Sequence, residues 1–516
     1  MHIVQSLIEQ YIPTVDYVPP EIRTRAKARS IRDIASHILM NFQNDNPATV
    51  ANRPITRDEA APLITQMLKS EVFSPIMGAK SECWSAEPNQ PANRFQSLRK
   101  IAKKISITGE PDPVITLGQL MVLANTHPHL GIYSHELGIG RRDAGNRMTS
   151  AFSTPMEFMP HYANAYGQIA TEAITKLIES ANITEKNQLQ IIIVGDGEGR
   201  VTSNIIQKIL KQGINPRLLR IQVMDLGIGQ LRIQEERLAD SRIPIEFQRY
   251  DASNIASYLH DIKASQTGLI ILGEEVLDDF PVFAVKRDHV TGLLNEQTFT
   301  LHESETFSFG EYQYPPIFQA LFTEWFKLFP HYEELLKRNP HTFIPVDFDL
   351  LRFLSYIGLQ AYQGKFNGYM IGGDYSGIFN MSSRNHPLPI RGYSRGSNIV
   401  SPEEALRRTM NITHDVDHHM FAILKIFGVD VSLMRMAHFI SLSESRQLFS
   451  PKEIYDLIYG LKQKYHTKSL PDAPTMNHDH EMLLVLETMF CERFNWIVKL
   501  GSAPALFPDI DKHNIW

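Results

Sequence analysis

The segment "QIIIVGDGEGR", residues 190–200, constrains this chain more than any other. Its β-branched run reads as a strand buried on both faces, the condition of a strand inside a parallel sheet. Gly195, Gly197 and Gly199 follow at alternate positions, and the apolar spacing of 204–210 then reads as a helix. A strand that enters a helix through glycines lets a ligand approach bare backbone N–H groups at the helix N-terminus.

The surrounding texture repeats that unit. Strands are expected at 190–194, 221–224, 246–249 and 269–272, with helices between them that include 230–239. Gly213 followed by Pro216 stops the first helix. Such alternation implies right-handed βαβ units: an α/β fold with a parallel sheet, helices on both faces, and ligands at the carboxyl ends of the strands. Segments 282–288 and 298–301 flank Gly292 as a hairpin, a helical stretch follows over about 313–362, and 368–372 reads as one more strand. From 402 onward the pattern is mainly helical, opened by the capping box Ser401-Pro402-Glu403-Glu404. Residues 1–105 also read as helical, as at 31–39, and carry no chemical motif.

With 516 residues the chain is long enough for more than one structural unit, and its formal net charge of −6 argues against a general nucleic-acid binder, which needs a basic face. No apolar run approaches a membrane span. Cys83 and Cys491 form neither a close pair nor a zinc set. The first residues lack the features of a secretory leader, so a cytoplasmic address is expected.

The glycine spacing selects among ligands. A dinucleotide fingerprint needs a third glycine where Arg200 stands, and a Walker loop needs a Lys-Ser/Thr pair where Arg200-Val201 stands. Asp225 ends the second strand, where a carboxylate accepts both hydroxyls of a ribose. Asp251 follows the third strand, where a carboxylate accepts from an adenine amino group. In succession they describe an adenosine pocket without a pyrophosphate, which suits S-adenosyl-L-methionine (SAM) better than NAD. Beyond the fourth strand, "LGEEVLDDFPV", residues 272–282, places carboxylates at the ligand edge. There they can hold a cationic acceptor such as a guanidinium.

These residues resemble the MidA-like SAM-dependent methyltransferases, in order across roughly 113–430. "ITLGQLMVLANTHPHLGIYS", 115–134, is similar to that family's opening helix and its "HPxxGYYS" ending. "GNRMTS", 145–150, resembles "GDFITS", and "YGQIATEAI", 166–174, the helix after it. "VGDGEGR" stands for "LGPGRG", and "MDLGIGQLRIQEERL", 224–238, for an acidic residue followed by "LRxxQxxxL". "GEEVLDDFPV" resembles "ANELLDALPV", "MIGGDYSG" resembles "LLIDYG", "IRGYSRG" resembles "LRAYRRH", and "NITHDVDHH" resembles "DITADVDF". The departures are Ile193 for an acid, Glu274 for the Asn of "NE", and Asn146 for the Asp of "GDF".

The resemblance implies a class I SAM-methyltransferase fold, a Rossmann-like sheet with helical N- and C-terminal additions. The expected division is 1–105, 106–435 with a helical insertion at about 302–362, and 436–516. It also implies transfer to an arginine side chain of a partner protein. Gly195, Asp196, Gly197 and Gly199 are expected at the methionine end of the cofactor, Asp225 at the ribose, and Asp251 with Ala252 at the adenine. Thr149 and Ser150 close the pocket, and Glu274 adjoins it. Glu275 and Asp278 would orient the acceptor. Ile193 and Glu274 also support a second reading, a scaffold of the same fold that binds a partner without turning over. The oligomeric state is left open, a homodimer included. His414 and His418 stand at i, i+4 in "THDVDHHM", a spacing that can hold zinc, but a polar hydrogen-bonded helix face is the preferred reading and no metal is expected.

Overall fold

The structure, a computed structural model, describes residues 31–44, 55–69, 74–85, 93–134, 154–251, 268–375, 390–393, 399–443, 451–464, 483–484 and 486–507. A seven-stranded sheet organises them. Its strands are β1 (Leu189–Val194), β2 (Leu219–Asp225), β3 (Ile245–Arg249), β4 (Gly268–Glu274), β5 (Asn367–Tyr375), β6 (Asp430–Arg435) and β7 (Arg493–Leu500). They lie in the order β6-β7-β5-β4-β1-β2-β3. Strands β1 to β5 are mutually parallel, and β7 runs antiparallel to both β5 and β6. This is the class I methyltransferase sheet that the sequence implied.

β1 lies inside the sheet, between β4 and β2, and is apolar on both faces. Ile192 and Val194 enter one core with Leu120 and Leu123 of helix Leu117–Thr126, while Ile191 and Ile193 enter the other with Tyr166 and Ile169 of helix Pro160–Ser180. Alternate side chains of a strand point to opposite faces, so an unbroken apolar run needs cover on both. Ile193, where the related family carries an acid, is 1% exposed in the second core.

A second, five-stranded sheet comprises Val114–Thr116, Phe283–Arg287, Leu294–Leu301, Phe307–Gln313 and Ile344–Val346. The hairpin about Gly292 forms as expected, with Gly292 at φ +72°. The insertion is not purely helical. Residues 307–313 pair with Leu294–Leu301, because Phe307 and Phe309 alternate with polar residues and their rings meet each other and Phe299. Helices Pro316–Leu328, Pro330–Arg338 and Phe348–Tyr362 supply the rest.

Both expected boundaries yield to the packing. The C-terminal segment is helical at Met436–Ser443 and Pro451–Lys464, but β7 fills the gap between β5 and β6, so the sheet crosses residue 435. Pro402–Leu406 is a short 3-10 turn in which the Ser401 side chain makes no cap bond. At the other end, Ile76, Ala79, Cys83 and Leu98 share a core with Leu120 and Phe283. No helix among the described residues is long and apolar enough to cross a membrane.

Candidate cofactor and acceptor site

The turn after β1 has the backbone that its glycines permit. Gly195, Gly197 and Gly199 take φ of +62°, +54° and +80°, which L side chains rarely adopt. A Cβ at Gly195 would also meet Val276 Cγ2 at 2.7 Å. The turn delivers the chain to helix Arg200–Lys211. Asp196 serves that helix: its carboxylate accepts from the N–H groups of Val201 (2.8 Å) and Thr202 (3.1 Å), and from the Thr202 hydroxyl. Uncapped helix N-terminal donors need such a partner.

Asp225 closes β2 and accepts from the Gly227 N–H (2.8 Å) and Gln234 Nε2 (3.1 Å). Gln234 also donates to the Gly197 carbonyl (2.9 Å), which locks the glycine turn to the Asp225 loop. Burial pushes the Asp225 carboxyl up to about 6. Beside it, the buried carboxamide of Gln230 makes no hydrogen bond to any described residue through either its nitrogen or its oxygen. A buried amide of that kind calls for a polar ligand.

A cavity with two lobes opens along the carboxyl edge of the sheet. Asp225, Gln230, Tyr250 and Asp251 line the first lobe, together with Lys80 and Asp279. Met156, Glu198, Arg200 and Glu274 line the second. Gly195, Gly197, Tyr133 and Glu275 line both, so they mark the junction. Thr149, Ser150 and Ala252 lie outside the described residues.

The acidic loop is arranged differently from the sequence expectation. Glu274 and Glu275 both pair with the guanidinium of Arg493, the first residue of β7, which is 0% exposed. Tyr162 donates to Glu274 (2.7 Å), and Asn495 donates to the Tyr162 hydroxyl (2.7 Å). The flanking carboxylates hold Arg493 charged, well above its ordinary range, against the opposing effect of burial. Glu275 sits at φ +51°, a left-handed conformation uncommon for a non-glycine residue, and its N–H donates to the Gly373 carbonyl (2.9 Å). Asp278 lines neither lobe. Burial and then the Asp374 carboxylate push it well above the usual range. Asp374 in turn accepts from the N–H groups of Leu277 (2.9 Å) and Asp278 (3.2 Å), and so pins the loop.

Asp279 lines the first lobe alongside Glu275. Tyr133 donates to it (2.7 Å), Asn125 donates to it (3.2 Å), and Asn411 donates to the Tyr133 hydroxyl (2.6 Å). Burial pushes Asp279 up to about 7 although the Tyr133 bond opposes the shift.

The histidines of 413–420 do not share a helix face. His414 ends strand Asn411–His414 and His418 begins a 3-10 segment. The fold instead gathers His331, Asp417 and His419, with His331 Nε2 (2.8 Å) and His419 Nδ1 (2.7 Å) on the Asp417 carboxylate.

Sequence reasoning thus reached the glycine turn, Asp225 and Asp251, and passed over Lys80, Tyr133, Gln230, Asp279 and Arg493. Tyr133, Gln230 and Asp279 stand inside segments that the motifs had already marked. Lys80 and Arg493 carried no such mark, since each meets the site only through folding; Arg493 is 219 residues from Glu274.

No curated protein matches the chain. Residues 170–424 match the model of a family described as "Putative S-adenosyl-L-methionine-dependent methyltransferase". The chain is similar in fold to a superfamily member from Burkholderia thailandensis, a methyl transferase candidate crystallised with S-adenosyl-homocysteine. The TM-score is 0.52 at 14% identity, over 84% of this chain and 95% of that one. An uncharacterised protein of the same superfamily and organism gives a TM-score of 0.50 at 13% identity, over 84% and 96%. Through residues 170–424, on a class I sheet, the chain is similar to this S-adenosyl-L-methionine-dependent methyltransferase family.

Proposed function

We propose that the chain binds SAM across the two lobes and transfers its methyl group to an arginine side chain of a partner protein. The observation that carries this reading is the junction. The glycine turn meets a net-acidic pocket there, in which Glu274 and Glu275 share the guanidinium of Arg493 while Asp279 lines the first lobe beside the Tyr133 hydroxyl. The adenosine would occupy the first lobe, with its ribose on Asp225 and Gln230 and its base toward Asp251. The methionine would run past Gly195 and Gly197 into the second. SAM supplies an activated sulfonium methyl group, so the residues have to align donor and acceptor, exclude water and receive a proton. Methylation would cost the acceptor nitrogen a proton, and Asp279 would take it.

Glu274 and Glu275 serve here as a frame that holds Arg493, and Asp279 replaces Asp278 as the acceptor's carboxylate. A second reading has one observation in its favour. Arg493 already fills the fork of Glu274 and Glu275, as it would in a protein that keeps the cofactor pocket but binds its partner without turnover. Labelled SAM incubated with lysate of the native cell, followed by mass spectrometry of peptides, separates the two. Labelled arginine supports transfer, and a SAM-binding protein that labels nothing supports the scaffold.

Two variants test the roles. Asp225→Ala weakens S-adenosylhomocysteine binding by about 2–3 kcal/mol in calorimetry, the value of charge-assisted hydrogen bonds to a ribose. In the native chain the same contact needs the ionised form, so affinity falls as pH drops through about 6. Asp279→Asn lowers the rate of transfer on the order of a hundredfold at pH 8, the scale of a lost general base, and leaves cofactor affinity within a few fold. A base works only when deprotonated, so the native rate climbs as pH rises through about 7 and then levels. The variant should lack that limb; a limb unchanged in Asp279→Asn argues for another base.

A further inference from the structure

Lys80 stands on helix Ser74–Ser85, in the part of the chain where sequence offered no chemistry. Its ammonium lies 2.9 Å from Asp251 Oδ2 and 2.9 Å from Asp349 Oδ2, with the lysine side chain only 9% exposed. Lys80 and Asp251 both line the first lobe, with Tyr250, Thr126 and Phe280 around them. The helix is fixed there by its C-terminal end. Arg249, the last residue of β3, donates to the carbonyls of Cys83 (2.7 Å) and Trp84 (3.3 Å), and its guanidinium lies 4.7 Å from the centre of the Trp84 ring. A cation on the last carbonyls of a helix is favourable. At the other end Ile76 packs on Gly118, where an added Cβ would lie 3.0 Å from Ile76 Cδ1. Lys80 is therefore held in place from both sides.

We propose that Lys80 is a positioning residue that fixes Asp251 as a pure hydrogen-bond acceptor, and so makes the pocket select a 6-amino purine over a 6-oxo purine. This rests on the SAM reading above and extends it to the nucleobase. An ammonium has donors and no acceptor, and an ionised carboxylate has acceptors and no donor. A carboxylate's two oxygens offer about four acceptor sites, so the bond to Lys80 leaves capacity for a ligand. A ligand group that meets Asp251 must then donate. The adenine amino group does, whereas a 6-oxo base turns an acceptor toward a carboxylate and is rejected. Without Lys80, Asp349 keeps the Arg352 guanidinium (2.8 Å) while Asp251 loses its ammonium beside a second carboxylate, which favours protonation of Asp251. A protonated Asp251 carries a donor, and the 6-oxo base becomes acceptable.

The test is calorimetry with S-adenosylhomocysteine and S-inosylhomocysteine on the full-length chain and its variants, with thermal unfolding as a check on the fold. The native chain should prefer the adenine ligand by roughly a hundredfold or more, as sites built on a hydrogen bond do. Lys80→Met should weaken the adenine ligand by about tenfold and narrow the preference by a similar factor, through loss of a charged contact. Lys80→Gln should narrow the preference in the same direction, and it serves if the methionine variant unfolds. Lys80→Arg should keep the preference, because the charge remains. Equal weakening of both ligands in Lys80→Met would reduce Lys80 to a structural contact and overturn the proposal, as would unchanged binding of the adenine ligand. A native chain that binds neither ligand overturns the SAM reading itself, and this extension with it.

Discussion

Gly197→Val yields a folded chain that no longer binds S-adenosylhomocysteine at millimolar concentration, where the native chain binds it in the micromolar range, about 8 kcal/mol. Two causes add. Gly197 takes φ +54°, and a β-branched residue there is a steric outlier that costs roughly 1–2 kcal/mol of local strain. Gly197 also lines both lobes, so the new methyl groups would stand where the backbone must approach the ligand. Calorimetry reads the binding and circular dichroism the fold. Native-like affinity in the variant would move the cofactor away from the glycine turn.

Arg493→Ala should have the largest effect on stability, a loss of about 3–5 kcal/mol in urea unfolding, because it strands two buried glutamates without their counter-ion. Glu274 and Glu275 are both within reach of one guanidinium fork, and no part of Arg493 is exposed. Arg493→Lys recovers only part of the loss, since a point charge cannot serve both carboxylates in the same geometry. Adding Glu274→Gln to Arg493→Ala should restore part of the lost stability by removing one uncompensated charge. A single variant within about 1 kcal/mol of the native chain would mean that the pair is solvated, as exposed pairs are.

The outer segments show why part of the site was hidden from sequence reading. Motifs cluster between 113 and 430, and this pattern suggests helical additions that stand apart from the pocket. Yet Lys80 reaches Asp251 from before that interval, and Arg493 reaches Glu274 from after it. Neither residue has a periodic or local signature. A buried lysine or arginine reads in sequence like the exposed majority of its kind, and only its partner's position makes it part of a site. Asp279 was hidden in another way. It adjoins Asp278 in an acidic run, and adjacent residues of a turn point in different directions, so spacing could not say which one lines the cavity.

By itself the sequence determined what local chemistry determines. The run at 190–194 had to be covered on both faces, and the glycines after it had to take left-handed backbone. The strand–helix alternation had to give a parallel sheet, with Asp225 at the carboxyl end of its strand. Those properties belong to a few consecutive residues and survive any packing. Tertiary structure alone decided that β7 fills the sheet, that Arg493 neutralises the two glutamates, and that helix Ser74–Ser85 completes the first lobe. Each of these matches a buried charge or an open hydrogen-bonding edge to a partner far along the chain. Such matches are made by the free energy of the whole fold, because a buried charge must find its counter-ion wherever the chain supplies one.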